Sequence, residues 1–171
     1  MGVWVLRLGH RRGRDPRLTT HVALTARALG CEGIILSGEK DDAIIKSINK
    51  VVKNWGNHFE IKYEKNWRNI IEKWGGKTVH LTMYGLPIKN KIDELKKTKN
   101  ILVIVGSEKV PGDVYQLSDF NISITNQPHS EVASLAVFLE KLFGGKELEK
   151  KFKNARIKII AKERGKKIIS L

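Results

Sequence analysis

An α/β fold with a mainly parallel sheet flanked by helices is what this 171-residue sequence predicts, on three observations. Short β-prone apolar runs alternate with segments of helical period, the pattern of strands joined by crossover helices. Turns containing Gly or Pro follow several of the runs. Hydrophobic residues make up 41% of the chain, enough for a real core at a length that suits one domain, with or without a short appendage.

In chain order, the expected strands are residues 3–8, 33–36, 59–63, 78–83, 101–105 and 122–124. Between the second and third, Ile44, Ile48, Val51, Val52 and Trp55 recur on one helical face. Trp67, Ile70, Ile71 and Trp74 do the same behind Asn66, an expected N-cap. Ile88, Ile92 and Leu95 mark another helix, opened by Pro87. Residues 132–142 are apolar almost all round, as in a helix buried in the middle of an assembly. The tail differs: 156–161 and 166–171 are β-prone runs around Lys162-Glu163-Arg164-Gly165, an expected hairpin that alternates Ile with Lys. Gly144-Gly145 is the expected joint, giving a core of residues 1–145 and a basic extension of 146–171.

Charge is the first functional clue. The formal net charge is +14, and the excess is clustered. Arg7, Arg11, Arg12, Arg14 and Arg17 are opposed nearby only by Asp15, and ten basic residues face three acidic ones from Lys146 onward. Clustered positive charge attracts polyanions by releasing their counterions. The C-terminal lysines also fit plain surface solvation; five arginines together fit phosphate contacts better, because guanidinium groups bind phosphate in pairs of hydrogen bonds. No apolar run approaches the ~20 residues of a membrane-spanning helix. Residues 3–8 are too short for a signal-peptide core, and arginines follow them. A soluble, cytoplasmic protein is expected. With Cys31 as the only cysteine, neither a disulfide framework nor a cysteine-built zinc site is expected.

In an open parallel sheet, ligands bind beyond the C-terminal ends of the strands. Three of those ends carry unusual sequence: Tyr84-Gly85-Leu86-Pro87, Gly106-Ser107-Glu108-Lys109-Val110-Pro111, and Thr125-Asn126-Gln127-Pro128-His129-Ser130-Glu131. Each alone fits an ordinary turn; three together on late strands point to a pocket. The chain has neither G-x-G-x-x-G nor a P-loop, and its five histidines make no metal-ligand spacing, so no metal site is expected.

These turns also carry a resemblance. Leu6-Arg7-Leu8-Gly9-His10-Arg11, with Asp15 and Arg17, leads into Thr20-His21-Val22-Ala23-Leu24-Thr25-Ala26-Arg27-Ala28. With Val79-His80-Leu81-Thr82-Met83-Tyr84-Gly85, the 106–110 turn and segment 121–131, the chain closely resembles the archaeal tRNA (cytidine-56) 2′-O-methyltransferases, of the SPOUT superfamily of knotted methyltransferases. The resemblance runs from Val3 to about Ser170. It implies a C-terminal trefoil knot, S-adenosyl-L-methionine as cofactor, tRNA as substrate, and a homodimer in which each subunit completes the other's site. Carried onto this chain, the cofactor residues are Leu81, then Gly106, Ser107, Glu108, Lys109 and Val110. Ile124, Thr125, Asn126, Gln127, Pro128, His129, Ser130 and Glu131 complete them, and Ser130 is equally placed to cap the following helix.

Related ribose methyltransferases place an arginine at the reacting hydroxyl. Aligned through Gly30, this sequence has Leu24 at that position, so the resemblance passes the role to another residue: Arg17, with Asp15 and His21 as rivals. Arg17 fits a phosphate grip equally well. The tRNA surface implied comprises Arg7, Arg11, Arg12 and Arg14 with Lys162, Arg164, Lys166 and Lys167. Two other functions fit the charge: a non-catalytic RNA-binding α/β protein, and a related methyltransferase acting at another RNA site.

Overall fold

The computed structural model describes residues 1–106 and 109–171. Six parallel strands form the main sheet in the order β3-β2-β1-β5-β4-β6. They are β1 (Gly2–His10), β2 (Gly33–Gly38), β3 (Glu60–Tyr63), β4 (Lys77–Pro87), β5 (Asn100–Val105) and β6 (Phe120–Ser123). Alternate residues of each central strand enter different cores. Val3, Val5, Val103 and Val105 face α1 (Pro16–Ala28), α2 (Asp42–Trp55), α4 (Ile92–Lys96) and α6 (Glu131–Phe143). Leu6, Leu8, Leu102 and Ile104 face the shorter α3 (Trp67–Glu72) and α5 (Gly112–Leu117). Strands covered on both faces read as continuous apolar runs, and so do these.

Local chemistry sets the helix starts. The Asp41 carboxylate accepts from the N–H groups of Ala43 (3.0 Å) and Ile44 (3.3 Å) and opens α2. Asn66 caps α3 as expected, accepting from the Asn69 N–H at 3.2 Å. Ser130 caps α6, accepting from the Ala133 N–H at 3.2 Å, and Gly144 closes it in the left-handed region (φ 66°). One expectation shifts. The helix expected from Ile88 is a 3₁₀ turn followed by the five-residue α4. α1 and α5 carry no strong apolar stripe: α1 buries small or polar residues (Thr19, Ala23, Ala26) beside Val22, and α5 buries only Val114.

β4 is longer than its apolar run. After Leu81 pairs with Ile122, the chain bulges through residues 82–85 and returns so that Leu86 pairs with the same Ile122. The bulge lies against β6 so closely that a Cβ on Gly85 would sit 2.6 Å from Asn121 and Ile122 backbone atoms, which only glycine avoids. Beyond β6, the Asn126 amide ties back to this segment by donating to the Met83 carbonyl at 2.6 Å.

In the tail, β7 (Ile157–Ile159) pairs antiparallel with β8 (Ile168–Ser170) in a separate two-stranded sheet. The stretch before it is docked on the core. Asn57 N–H donates to the Lys153 carbonyl (2.6 Å), Arg156 N–H to the Asn54 carbonyl (2.9 Å), and the Arg27 guanidinium stacks over the Phe152 ring.

Candidate active site

At the C-terminal ends of β4 and β5, a cleft of about 560 Å³ opens between the 82–84 bulge, the turn after β5, α5 and the start of α6. Leu81, Met83 and Val110 give it apolar walls, and Tyr84 and Tyr115 add rings. Lys109, His129, Glu131 and Ser134 supply its polar side. The volume falls within the ~300–1,000 Å³ usual for small-molecule clefts.

Of the residues expected to hold a cofactor, Leu81, Gly106, Lys109, Val110, His129 and Glu131 line this cleft. Ser107 and Glu108 lie outside the described residues. Ile124 packs against the core, while Thr125, Gln127 and Pro128 are exposed on the loop entering α6, without lining the cleft. Asn126 secures the bulge and Ser130 caps α6. Gly106 has a steric reason to be glycine: a Cβ there would overlap the Val110 side chain.

One expectation is corrected. Arg7, read from the charge cluster as an RNA contact, is fully buried. It is the β1 partner of Val105, and its guanidinium donates to the carbonyls of Leu8 (3.0 Å) and Gly106 (2.5 Å). Its Nη2 lies 3.6 Å from the Glu131 carboxylate. Burial lowers the pKa of this guanidinium, opposed by Glu131 and Asp15. Arg7 therefore ties the turn after β5 to the start of α6 and cannot reach phosphate.

The other arginines divide. Arg11 is held by Asp15 through its Nε (3.0 Å), its Nη2 (3.2 Å) and its backbone N–H (3.1 Å). These donors keep the Asp15 carboxyl below its ordinary pKa, which makes it a poor proton acceptor. Arg12, Arg14, Arg17 and His21 are exposed. Arg17 stands on the first turn of α1 and does not line the cleft of its own chain. Leu24 is half-buried against the core, so nothing in α1 replaces the absent arginine from that position. Lys162, Arg164, Lys166 and Lys167 are exposed around the β7–β8 connection, well apart in sequence from the cleft.

The sequence did not single out the floor of the cleft. His80 is 1% exposed on β4, with Tyr115 edge-on at 4.7 Å between ring centroids. The Asn121 Nδ2 donates to the Tyr115 carbonyl (2.9 Å), so its Oδ1 faces His80 and accepts from the imidazole Nδ1–H (2.9 Å). Thr82 and Tyr115 hydroxyls share a hydrogen bond of 3.1 Å. Burial holds the His80 pKa below its ordinary 6.5, the Asn121 contact opposing it. The signal available in the sequence was His80 alternating with Val79 and Leu81 in a strand, which reads equally well as a core histidine.

Known proteins decide the family. The family described as "tRNA ribose 2'-O-methyltransferase, aTrm56" matches residues 55–169. The tRNA (cytidine(56)-2'-O)-methyltransferase of Methanopyrus kandleri is 53% identical over 96% of this chain and 94% of its own. This chain belongs to the archaeal tRNA (cytidine-56) 2′-O-methyltransferase family. The Archaeoglobus fulgidus member is 51% identical over 99% of both chains. Among solved structures, the SpoU methyltransferase AviRb of Streptomyces viridochromogenes, in complex with AdoMet, superposes with a TM-score of 0.58 at 15% identity over 84% of this chain. The present chain spans 57% of AviRb. A putative RNA methyltransferase from Bacillus anthracis matches at TM-score 0.59 and 20% identity, over 91% of this chain and 98% of its own. At such identities the likeness is one of fold, and it is the fold of RNA methyltransferases.

Proposed function

We propose that this protein methylates the ribose 2′-oxygen of cytidine 56 in the T loop of tRNA, with S-adenosyl-L-methionine as methyl donor. The observation that carries the reading is the cytidine-56 family match over nearly the whole chain, on a structure whose strand-end cleft suits a nucleoside. The cleft fits the donor on its own features. Apolar walls at Leu81, Met83 and Val110 suit an adenine face, glycine at 106 admits close backbone approach, and a buried imidazole nitrogen without a partner lies in the floor.

When bound, the donor would supply a methyl group already activated on a positively charged sulfur, and the 2′-hydroxyl would pass its proton to water or to an RNA phosphate as it takes up that methyl. The protein's task is then alignment and charge placement. Arg7 holds the Gly106 carbonyl and faces Glu131, fixing two walls of the cleft against each other. Arg17 is the proposed group at the 2′-hydroxyl, stabilising the developing negative oxygen from a second subunit. A homodimer is supported by large apolar side chains left in water: Tyr84 at the cleft (75% exposed), Leu86 (56%) and Val137 on α6 (40%). Burial of α6 on all sides, as its sequence suggests, requires that partner. A trefoil knot is supported by the 82–87 segment lying across β6 and the Asn126 tie behind it. The exposed arginines and the β7–β8 connection form the proposed tRNA surface, in a cytoplasmic enzyme. No helix among the described residues is long and apolar enough to cross a membrane, and no metal-binding cluster occurs among them.

The deciding experiment incubates the protein with labelled S-adenosylmethionine and unmodified tRNA transcript, then locates 2′-O-methyl nucleotides by mass spectrometry. Tight tRNA binding without methyl incorporation refutes an enzyme; methylation elsewhere moves the site. Arg17→Ala is expected to abolish turnover while donor affinity persists. Activity within about tenfold of the parent, a barrier change of only ~1.4 kcal/mol, would reject that assignment.

A further inference from the structure

Paired on one side with β5 and on the other with β6, β4 holds His80 in place, and its ring nitrogens are in different situations. Nδ1 is spoken for: Asn121 is turned by the Tyr115 carbonyl so that only an oxygen faces the imidazole, which must therefore carry its proton on Nδ1. Nε2 is left with a lone pair, buried and without a hydrogen-bond partner among the described residues. His80 also lines the cleft. Buried acceptors are almost always paired, because an unpaired one loses its water and gains nothing.

We propose that the Nε2 lone pair of His80 is a preformed acceptor for a hydrogen-bond donor on the methyl-donating ligand, an N–H or O–H of its nucleoside part. The inference rests on the cleft being the methyl donor's site. It explains why a histidine occupies a strand position whose neighbours, Val79 and Leu81, are core residues. It also makes the site sensitive to protons. A protonated His80 would have no lone pair to offer and would set a second cation beside a sulfonium. The ionisable groups around it are the Tyr115 phenol from α5, Lys109 from the preceding turn, and His129 and Glu131 at the entrance to α6; Asn121 of β6 and Thr82 of β4 are neutral.

The test is calorimetric titration of the full-length protein with S-adenosylmethionine and with S-adenosylhomocysteine, which share the nucleoside, between pH 7.5 and pH 5. Both ligands should weaken as pH falls, approaching tenfold per pH unit below the imidazole's titration point. His80→Leu should bind both about tenfold more weakly at pH 7.5, with a flattened pH profile. His58→Asn, on the exposed surface outside the cleft, should keep the parent's profile. ¹⁵N spectra of the imidazole in the parent should show a free Nε2 lone pair that becomes hydrogen-bonded on ligand addition. Unchanged affinity and profile in His80→Leu overturns the proposal, and so does a proton found on Nε2 in the ligand-free protein. The spectra decide the matter even if His80→Leu does not fold. A parent protein that binds neither ligand refutes the cofactor assignment itself, and the role of His80 with it.

Discussion

At the scale of single residues, the cleft depends on groups whose surroundings leave them little choice. Gly106→Ala would drive a methyl group into Val110. Relieving that overlap displaces a cleft wall and costs about 1–3 kcal/mol of stability. Donor affinity should fall at least about tenfold by calorimetry. His80 gives a pH signature to folding as well as to binding. Its native pKa lies below the ordinary 6.5, so the unfolded chain takes the proton first as acid is added. Its contribution to stability is complete above about pH 6.5 and is lost as pH falls below that value. Urea midpoints at pH 7.5 and pH 5.5 should therefore differ less in His80→Gln than in the parent. Arg7 shows where residue-scale reading of the sequence stops. An arginine two places before Gly9 and four before Arg11 looks like one of a surface cluster. Only the pairing of β1 with β5 reveals that it faces Gly106, ninety-nine positions away.

At the scale of elements, much was legible. All six strands overlap expected ones. β1, β2 and β5 do so as consecutive apolar runs, because strands covered on both faces must be apolar at successive positions, whereas the edge strands β3 and β6 and the bulged β4 interleave polar residues. Asn66 and Ser130 cap their helices, as their side chains allow. The strand order was not legible, nor was the return of β4 onto Ile122, because neither leaves a periodic trace. α5 escaped for a related reason: one buried valine in six residues makes no stripe. Ser130 separates two roles that the sequence left joined. If it only caps α6, Ser130→Ala lowers stability by about 1 kcal/mol, measured by urea unfolding, and leaves donor affinity unchanged. A loss of affinity beyond the loss of stability would give the side chain a ligand contact.

At the scale of the whole molecule, charge and architecture are separable. The cleft is built on the six-stranded sheet, while the exposed Lys162, Arg164, Lys166 and Lys167 lie in the connection of a separate two-stranded sheet. Replacing these four by Ser should weaken tRNA binding and reduce the slope of log affinity against log salt by about 3, at roughly 0.7–0.9 for each phosphate no longer neutralised. Methyl-donor affinity should not change. The extension carrying them is nonetheless bound to the core at Asn54, Asn57 and Arg27, so removing residues 146–171 as a block would disturb the ends of α1 and α2 as well.

The reach of Arg7 has a bearing on synthesis. It lies on β1, yet its partners, Gly106 and Glu131, are made 99 and 124 residues later. Until they emerge, its guanidinium is best left in water, and β1 has no reason to settle at the centre of a sheet. The two cleft walls it joins thus become fixed only when strands from both halves of the chain have met. A nascent chain should consequently gain its methyl-donor site in one late step, with no half-built site for the donor to occupy beforehand.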